Sequence, residues 1–244
     1  MLVARDCFID FRSVDVELNI TNSGLLNMFE DIACLHAQRI GEDISKSDFR
    51  WLLINYRVHI ICRPKYGEEV TVTTWSKDYK NITATREFEL RDASGELIVT
   101  CWSQWARVNI RTKELVRLTD EAMAPYESEP ERTNFGKVPR ITEPSEHQSE
   151  AEMLIDWRWM DNNRHMHNSY YLDAAEHVLP EEIRPQLSGC DFDVVYKQEI
   201  PQDAVISFLI TETENDWIVT MKSADKSVLH SIVVYHKKLS AQES

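Results

Sequence analysis

The sequence predicts an α+β chain in which one arrangement, a helix laid on an antiparallel sheet, occurs twice. Three observations lead there. Runs with period-2 alternation and β-branched residues dominate. Two segments with helical spacing interrupt them, one in each half. The order strand, helix, strand meander is the same on both sides of a proline-rich stretch. A single irregular α+β domain is the competing reading.

In the first half, residues 7–20 alternate and end in Val16, Leu18 and Ile20, which reads as a strand. Thr21-Asn22-Ser23-Gly24 then offers N-caps, and Leu25, Leu26, Phe29, Ile32, Ala33 and His36 recur at helical spacing up to Gly41. Strand-like runs follow at Trp51–Cys62, Glu69–Tyr79, Asn81–Arg91 and Glu96–Ile110, separated by turn residues at 63–67, 80–81 and 92–95. Residues 119–150 carry Pro125, Pro130, Pro139 and Pro144, many Glu and few apolar residues. They read as a linker with local helix near Asp120–Met123, between halves at 1–118 and 151–244. The second half repeats the order. It has a strand at Met153–Met160 and a helix from Asn168 or Ser169 through Tyr171, Ala174, Ala175 and Val178 to Leu179, stopped by Pro180. Strands follow at Phe192–Glu199, Ala204–Glu212, Asp216–Lys222 and Ser227–His236. Tyr66 to Val72 and Pro201 to Ser207 share one pattern, a reversal with an acidic residue followed by a β-branched strand.

Composition narrows the function classes. The 244 residues are 43% hydrophobic and 28% charged, enough for packed cores. The net charge of −14 disfavours nucleic acid and anionic membrane surfaces, whose phosphates it repels. The N-terminus, MLVARDCFIDFRSVD, lacks a basic stretch followed by an apolar run, and no segment is apolar for long enough to span a bilayer. The expectation is a soluble cytoplasmic protein. Cys7, Cys34, Cys62, Cys101 and Cys190 are odd in number and without a C-x-x-C pair, so they read as reduced thiols serving as small core residues. P-loop, G-x-G-x-x-G and G-x-S-x-G patterns are absent. Trp51, Trp75, Trp102 and Trp105 fall in strands, as core residues or as the lining of an apolar tunnel.

The stretch Trp157-Arg158-Trp159-Met160-Asp161-Asn162-Asn163-Arg164-His165-Met166-His167-Asn168 is the most unusual. It lies between a strand and a helix start. If extended, it turns Asp161, Asn163 and His165 to one side beside free N–H groups of a helix N-terminus. A carboxylate, an amide, an imidazole and an anion-stabilising end are what acyl transfer needs. The same residue types are also ordinary turn and cap residues. A metal at His165 and His167 lacks a third ligand in the sequence, so no metal or other cofactor is expected. In Tyr196-Lys197-Gln198-Glu199-Ile200-Pro201, Glu199 ends an apolar strand. It is either a solvated strand-end charge or, if folded against His165, a partner in proton transfer.

These two motifs, in this order, resemble the acyl–acyl-carrier-protein thioesterases of plants and bacteria. The family's D-x-N-x-H-x-N-N appears as Asp161 to Asn168, and its Y-R-R-E-C as Tyr196 to Ile200. Trp75, Lys80-Asn81, Arg86-Glu87-Phe88, Arg91-Asp92 and the run from Trp105 to Asn109 with Thr112 extend the likeness over the first half. Ile200 stands where plant members often have cysteine, which removes a Cys–His–Asn scheme at that position. His167 replaces the first Asn of the N-N pair.

The resemblance implies a double hotdog fold and hydrolysis of fatty acyl-acyl carrier protein without a cofactor. It implies a catalytic group of Asp161, Asn163, His165 and Glu199. It also implies an acyl slot in the first half, with Leu25, Leu26 and Phe29 as candidate lining. The implied partner is acyl carrier protein, itself acidic, docked through a local basic patch drawn from Arg107, Arg111, Lys113, Arg117, Arg132, Lys137 and Arg140. A homodimer is an expectation by analogy with hotdog sheets. The alternatives are an acyl-CoA thioesterase of the same fold, a hotdog dehydratase and a non-catalytic acyl-binding protein.

Overall fold

The computed structural model describes residues 1–42, 46–161 and 164–238. It divides into two compact units, Met1–Val138 and Pro139–Ser244. In unit 1 the strands are β1 (Val3–Phe8), β2 (Phe49–Ile60), β3 (Glu69–Lys80), β4 (Thr83–Asp92), β5 (Leu97–Asn109) and the short β6 (Glu114–Leu115). The helices are α1 (Asn22–Arg39) and α2 (Asp120–Met123). The sheet is antiparallel in the order β1-β3-β4-β5-β2, with β6 on β5. Unit 2 contains β7 (Ser149–Leu154), α3 (Tyr170–Val178), α4 (Arg184–Leu187), β8 (Asp191–Tyr196), β9 (Val205–Glu212), β10 (Asp216–Ser223) and β11 (Leu229–His236). Its antiparallel order is β7-β9-β10-β11-β8. Counted from its own first strand, each unit has the order 1-3-4-5-2. Both are α+β, with a helix between strands one and two.

Local chemistry sets the helix starts. Thr21 Oγ1 accepts the Gly24 N–H at 2.9 Å, an N-cap that opens α1. The apolar stripe of α1, Leu25, Leu26, Phe29 and Ile32, is fully buried, and Phe29 meets Phe88 of β4 with ring centroids 5.0 Å apart. Helix α3 buries Tyr171, Leu172, Ala174 and Ala175. Glu176 of α3 accepts the hydroxyl of buried Tyr235 on β11 at 3.2 Å.

Three expectations are corrected. Residues 14–20 form a bridged loop rather than a strand. Val14 pairs with Ile20, Asp15 Oδ1 accepts the N–H groups of Glu17 and Asn19, Leu18 takes a positive φ of 64°, and Val16 is fully exposed. The strand expected at Met153–Met160 lies earlier, at 149–154, because Asp156 caps a 3₁₀ turn at Trp157–Trp159. The stretch 119–150 is packed rather than free. Tyr126 is buried, the Trp75 indole donates to Arg132 O at 3.0 Å, and fully buried Glu87 accepts Lys77 Nζ at 3.0 Å and Thr133 Oγ1 and Asn134 N at 2.6 Å each. From Pro139 onward the chain joins unit 2, where Thr211 Oγ1 donates to Glu146 O at 2.9 Å. Prolines limit regular structure but leave carbonyls and polar side chains free to bond a sheet.

Candidate active site

The segment after β7 is held by its own polar groups. Trp159 stacks on Tyr170 at the start of α3, with centroids 5.5 Å apart and planes at 10°. The His167 N–H donates to Trp159 O at 2.8 Å, and the Tyr196 hydroxyl to Asn168 O at 2.9 Å. Within this frame, Asp161 and His165 are bonded back to each other. Asp161 N donates to His165 O at 2.7 Å, Asp161 Oδ1 accepts the His165 N–H at 3.0 Å, and Arg164 sits at φ 64°. The carboxylate of Asp161 therefore sets the backbone that presents the imidazole. Asn163 lies outside the described residues.

Glu199 reaches the same place from the end of β8. The His165–Pro201 bridge and the Met166 N–H, which donates to Ile200 O at 2.9 Å, lay the two segments side by side. His165 Nε2 stands 3.4 Å from Glu199 Oε2, with both side chains partly open to solvent. They face a cavity of about 380 Å³ that Gln198, Pro201 and His230 also line.

Two further residues shape this site, and neither belongs to a motif. Tyr171, on the buried face of α3, accepts the Ile200 N–H on its hydroxyl at 3.1 Å, and burial pushes its phenol well up, so the ring stays neutral. His230, 5% exposed on β11, has Nδ1 at 3.0 Å from Gln198 O and 3.1 Å from Glu199 O. Carbonyls only accept, so Nδ1 carries the proton. The backbone around Glu199 is thus held by three residues, with His230 on the carbonyls of Gln198 and Glu199 and Met166 and Tyr171 on the carbonyl and amide of Ile200. A buried tyrosine on a helix needs a partner for its hydroxyl, and that was the available signal for Tyr171. His230 is a single polar residue in an apolar strand and gave none.

Other expectations resolve differently. The helix N-terminus does not present a full set of free amides. Tyr170, Tyr171 and Leu172 donate to the carbonyls of His167, Asn168 and Ser169. His167 turns its Nδ1 to Ser169 Oγ at 3.1 Å. Leu25, Leu26 and Phe29 line neither of the two cavities described in unit 1. The more apolar of the two, about 140 Å³, runs along the later turns of α1, past Ala33, Cys34 and Ala37, with Trp51, Trp105 and Tyr126 opposite. Helical spacing marks a buried face, but not which part of it borders a void. Cys34 and Cys62 are exposed and Cys7 half-buried, so only Cys101 and Cys190 are core thiols. Of the basic candidates in unit 1, Arg107, Arg111 and Arg132 pair with Glu42, Asp48 and Glu89, whereas Lys113, Arg117 and Lys137 point to solvent.

Residues 3–126 match the model of the acyl-ACP thioesterase N-terminal domain, and residues 142–240 that of the acyl-ACP thioesterase C-terminal domain. The chain belongs to the acyl-ACP thioesterase family. Among curated relatives, oleoyl-acyl carrier protein thioesterase 2 of Arabidopsis thaliana is 25% identical over 90% of this chain and 66% of its own. Dodecanoyl-[acyl-carrier-protein] hydrolase of Umbellularia californica is 24% identical over 86% of this chain and 59% of its own. The chain thus spans roughly half to two thirds of these relatives' length. An acyl-ACP thioesterase from Bacteroides thetaiotaomicron superposes with a TM-score of 0.86 at 21% identity, covering 97% of this chain and 98% of that one. The 12:0-ACP thioesterase from Umbellularia californica gives 0.80 at 19%, covering 97% of each. The fold is therefore the α+β double hotdog. Among the described residues no helix is long and apolar enough to cross a membrane.

Proposed function

We propose that this thioesterase-family chain hydrolyses fatty acyl-acyl carrier protein to a free fatty acid and the carrier protein, in the cytoplasm. The observation that carries the reading is the 3.4 Å approach of His165 Nε2 to Glu199 Oε2 at a cavity wall. In this scheme Glu199 acts on the thioester carbonyl, directly or through a water. His165 relays the proton toward the leaving sulfur and stabilises the charge that develops. Asp161 positions His165 through its backbone N–H, and Asn163 orients water or substrate. Ile200 carries no thiol, so a cysteine nucleophile at that position plays no part.

Among the described cavities, the one along α1 has the apolar wall a hydrocarbon requires, and we assign the acyl chain to it. Each methylene buried there contributes about 0.8 kcal/mol. The acidic carrier meets a chain of net charge −14, so docking falls to exposed cations such as Lys113, Arg117 and Lys137. The test is release of fatty acid from a chain-length panel presented on acyl carrier protein and on coenzyme A. Faster turnover on the carrier protein supports the reading. Preference for coenzyme A moves the chain to the acyl-CoA thioesterase reading, and tight binding without turnover makes it an acyl-binding protein.

A further inference from the structure

The cavity along α1 is apolar on its walls, yet a bare cation sits on it. Arg86 of β4 is only 8% exposed and lines this space. Its Nη1 donates to His36 Nδ1 at 3.0 Å and to Thr74 Oγ1 at 3.1 Å, and its guanidinium lies 5.8 Å from the centre of the Tyr126 ring. Among the described residues, Nε and Nη2 have no acceptor, and no carboxylate lies within ion-pair distance of Arg86. A second guanidinium on the wall, Arg50, spends Nη1 on the carbonyls of Ser47 and Phe49 and leaves a buried Nε unpartnered. Among the described residues the one carboxylate lining the cavity, Glu42, is already bonded to Arg107, Trp51 and Tyr126. Arginine remains charged in any protein environment. A buried cation with open donors costs free energy until an anion meets it.

We infer that this cavity takes an aliphatic chain ending in a carboxylate, the carboxylate lying against the open Nε and Nη2 of Arg86. Its volume, about 140 Å³, is close to that of an apolar cavity known to hold benzene, so it admits a segment of about six carbons. The planar guanidinium matches a carboxylate with two parallel hydrogen bonds. The inference rests on the assignment of an aliphatic chain to this cavity. It adds the polar end that the chain must carry. Two sources share that chemistry, a free fatty acid and an acyl chain oxidised at its far end.

Cys34 lines the cavity and is exposed to reagents, while Cys62 is exposed and lines none of the described cavities. The full chain is alkylated with iodoacetamide, and the two thiols are followed by mass spectrometry. The additions are octanoate, 1-octanol or suberic acid monoamide, which has a carboxylate at one end and an uncharged amide at the other. The expected result is that octanoate or the monoamide protects Cys34 at concentrations about tenfold lower than octanol, with Cys62 unaffected. Protection by octanoate alone identifies the free acid as ligand, and protection by the monoamide identifies the oxidised acyl chain. In Arg86→Met, octanol still protects and the advantage of the carboxylate is lost. Equal protection by octanol and both acids, within about threefold, overturns the inference while leaving the chain assignment standing. No protection by any of the three overturns both. The wild-type comparison decides by itself if Arg86→Met does not fold.

Discussion

Replacing Tyr171 by Phe removes one oxygen atom and leaves the ring where it is. The hydroxyl is the acceptor of the Ile200 N–H at 3.1 Å, and both residues are buried, Tyr171 at 3% exposed and Ile200 at 0%. Phe keeps the edge-to-face packing on Tyr196, whose ring centroid is 5.1 Å away, so no cavity opens. The cost is that of a buried backbone donor with no acceptor, about 1–3 kcal/mol. Taking about 2 kcal/mol and a urea m-value of about 2 kcal/mol/M, the unfolding midpoint falls by about 1 M. Urea titrations followed by intrinsic tryptophan fluorescence measure it directly. Hydrolysis should fall as well, because Ile200 follows Glu199 and the Tyr171 bond to its amide is one of the contacts that hold that backbone. A midpoint moved by less than about 0.2 M, with full activity, would refute that role.

Two other perturbations have a defined sign. Gly24→Ala in a helix ordinarily gains up to about 1 kcal/mol. Here the new Cβ would meet Ser13 O at 2.9 Å and Ile20 Cγ1 and Thr21 Oγ1 at 3.0 Å, so the change should lower the melting temperature, by the equivalent of about 1–3 kcal/mol. His36 is fully buried, and burial, helped by the neighbouring Arg86, lowers its pKa to about 3. The unfolded chain takes up this proton near pH 6.5, whereas the folded chain does so only near pH 3. Its contribution is therefore complete above pH 6.5. It is lost on acidification at up to about 1.4 kcal/mol per pH unit through that window. Denaturant titrations from pH 7 to 4 should show the slope in the wild type and a shallower one in His36→Gln.

Most of the fold was legible because the strands and helices have clean periods and clear caps. Thr21 announces α1, and the turns at 63–67 and 92–95 announce the meander. The same rule misled at 14–20, where Val16, Leu18 and Ile20 alternate like a strand but Asp15 folds the backbone into a loop by accepting two amides. At the site, His165 and Glu199 were legible as parts of motifs. Their approach, however, depends on long-range pairing of 165 with 201 and of 166 with 200, which no local pattern encodes. Tyr171 signals only that its buried hydroxyl needs a partner, not which one, and His230, a lone polar residue in an apolar run, carries no sign of its two bonds to the backbone. Close packing, as at Leu25, Leu26 and Phe29, and bordering a void, as at Ala33 and Ala37, leave the same apolar stripe in the sequence, so helical spacing does not say where a cavity lies.

The account turns on the carboxylate of Glu199 acting beside His165. The direct measurement is kcat for fatty acid release from acyl carrier protein by Glu199→Gln, a near-isosteric change at a partly exposed side chain that should leave folding intact. The account predicts a loss of about 10²- to 10⁴-fold, the range for a positioned proton-transfer group. A folded Glu199→Gln protein that keeps kcat within about threefold of wild type would contradict it.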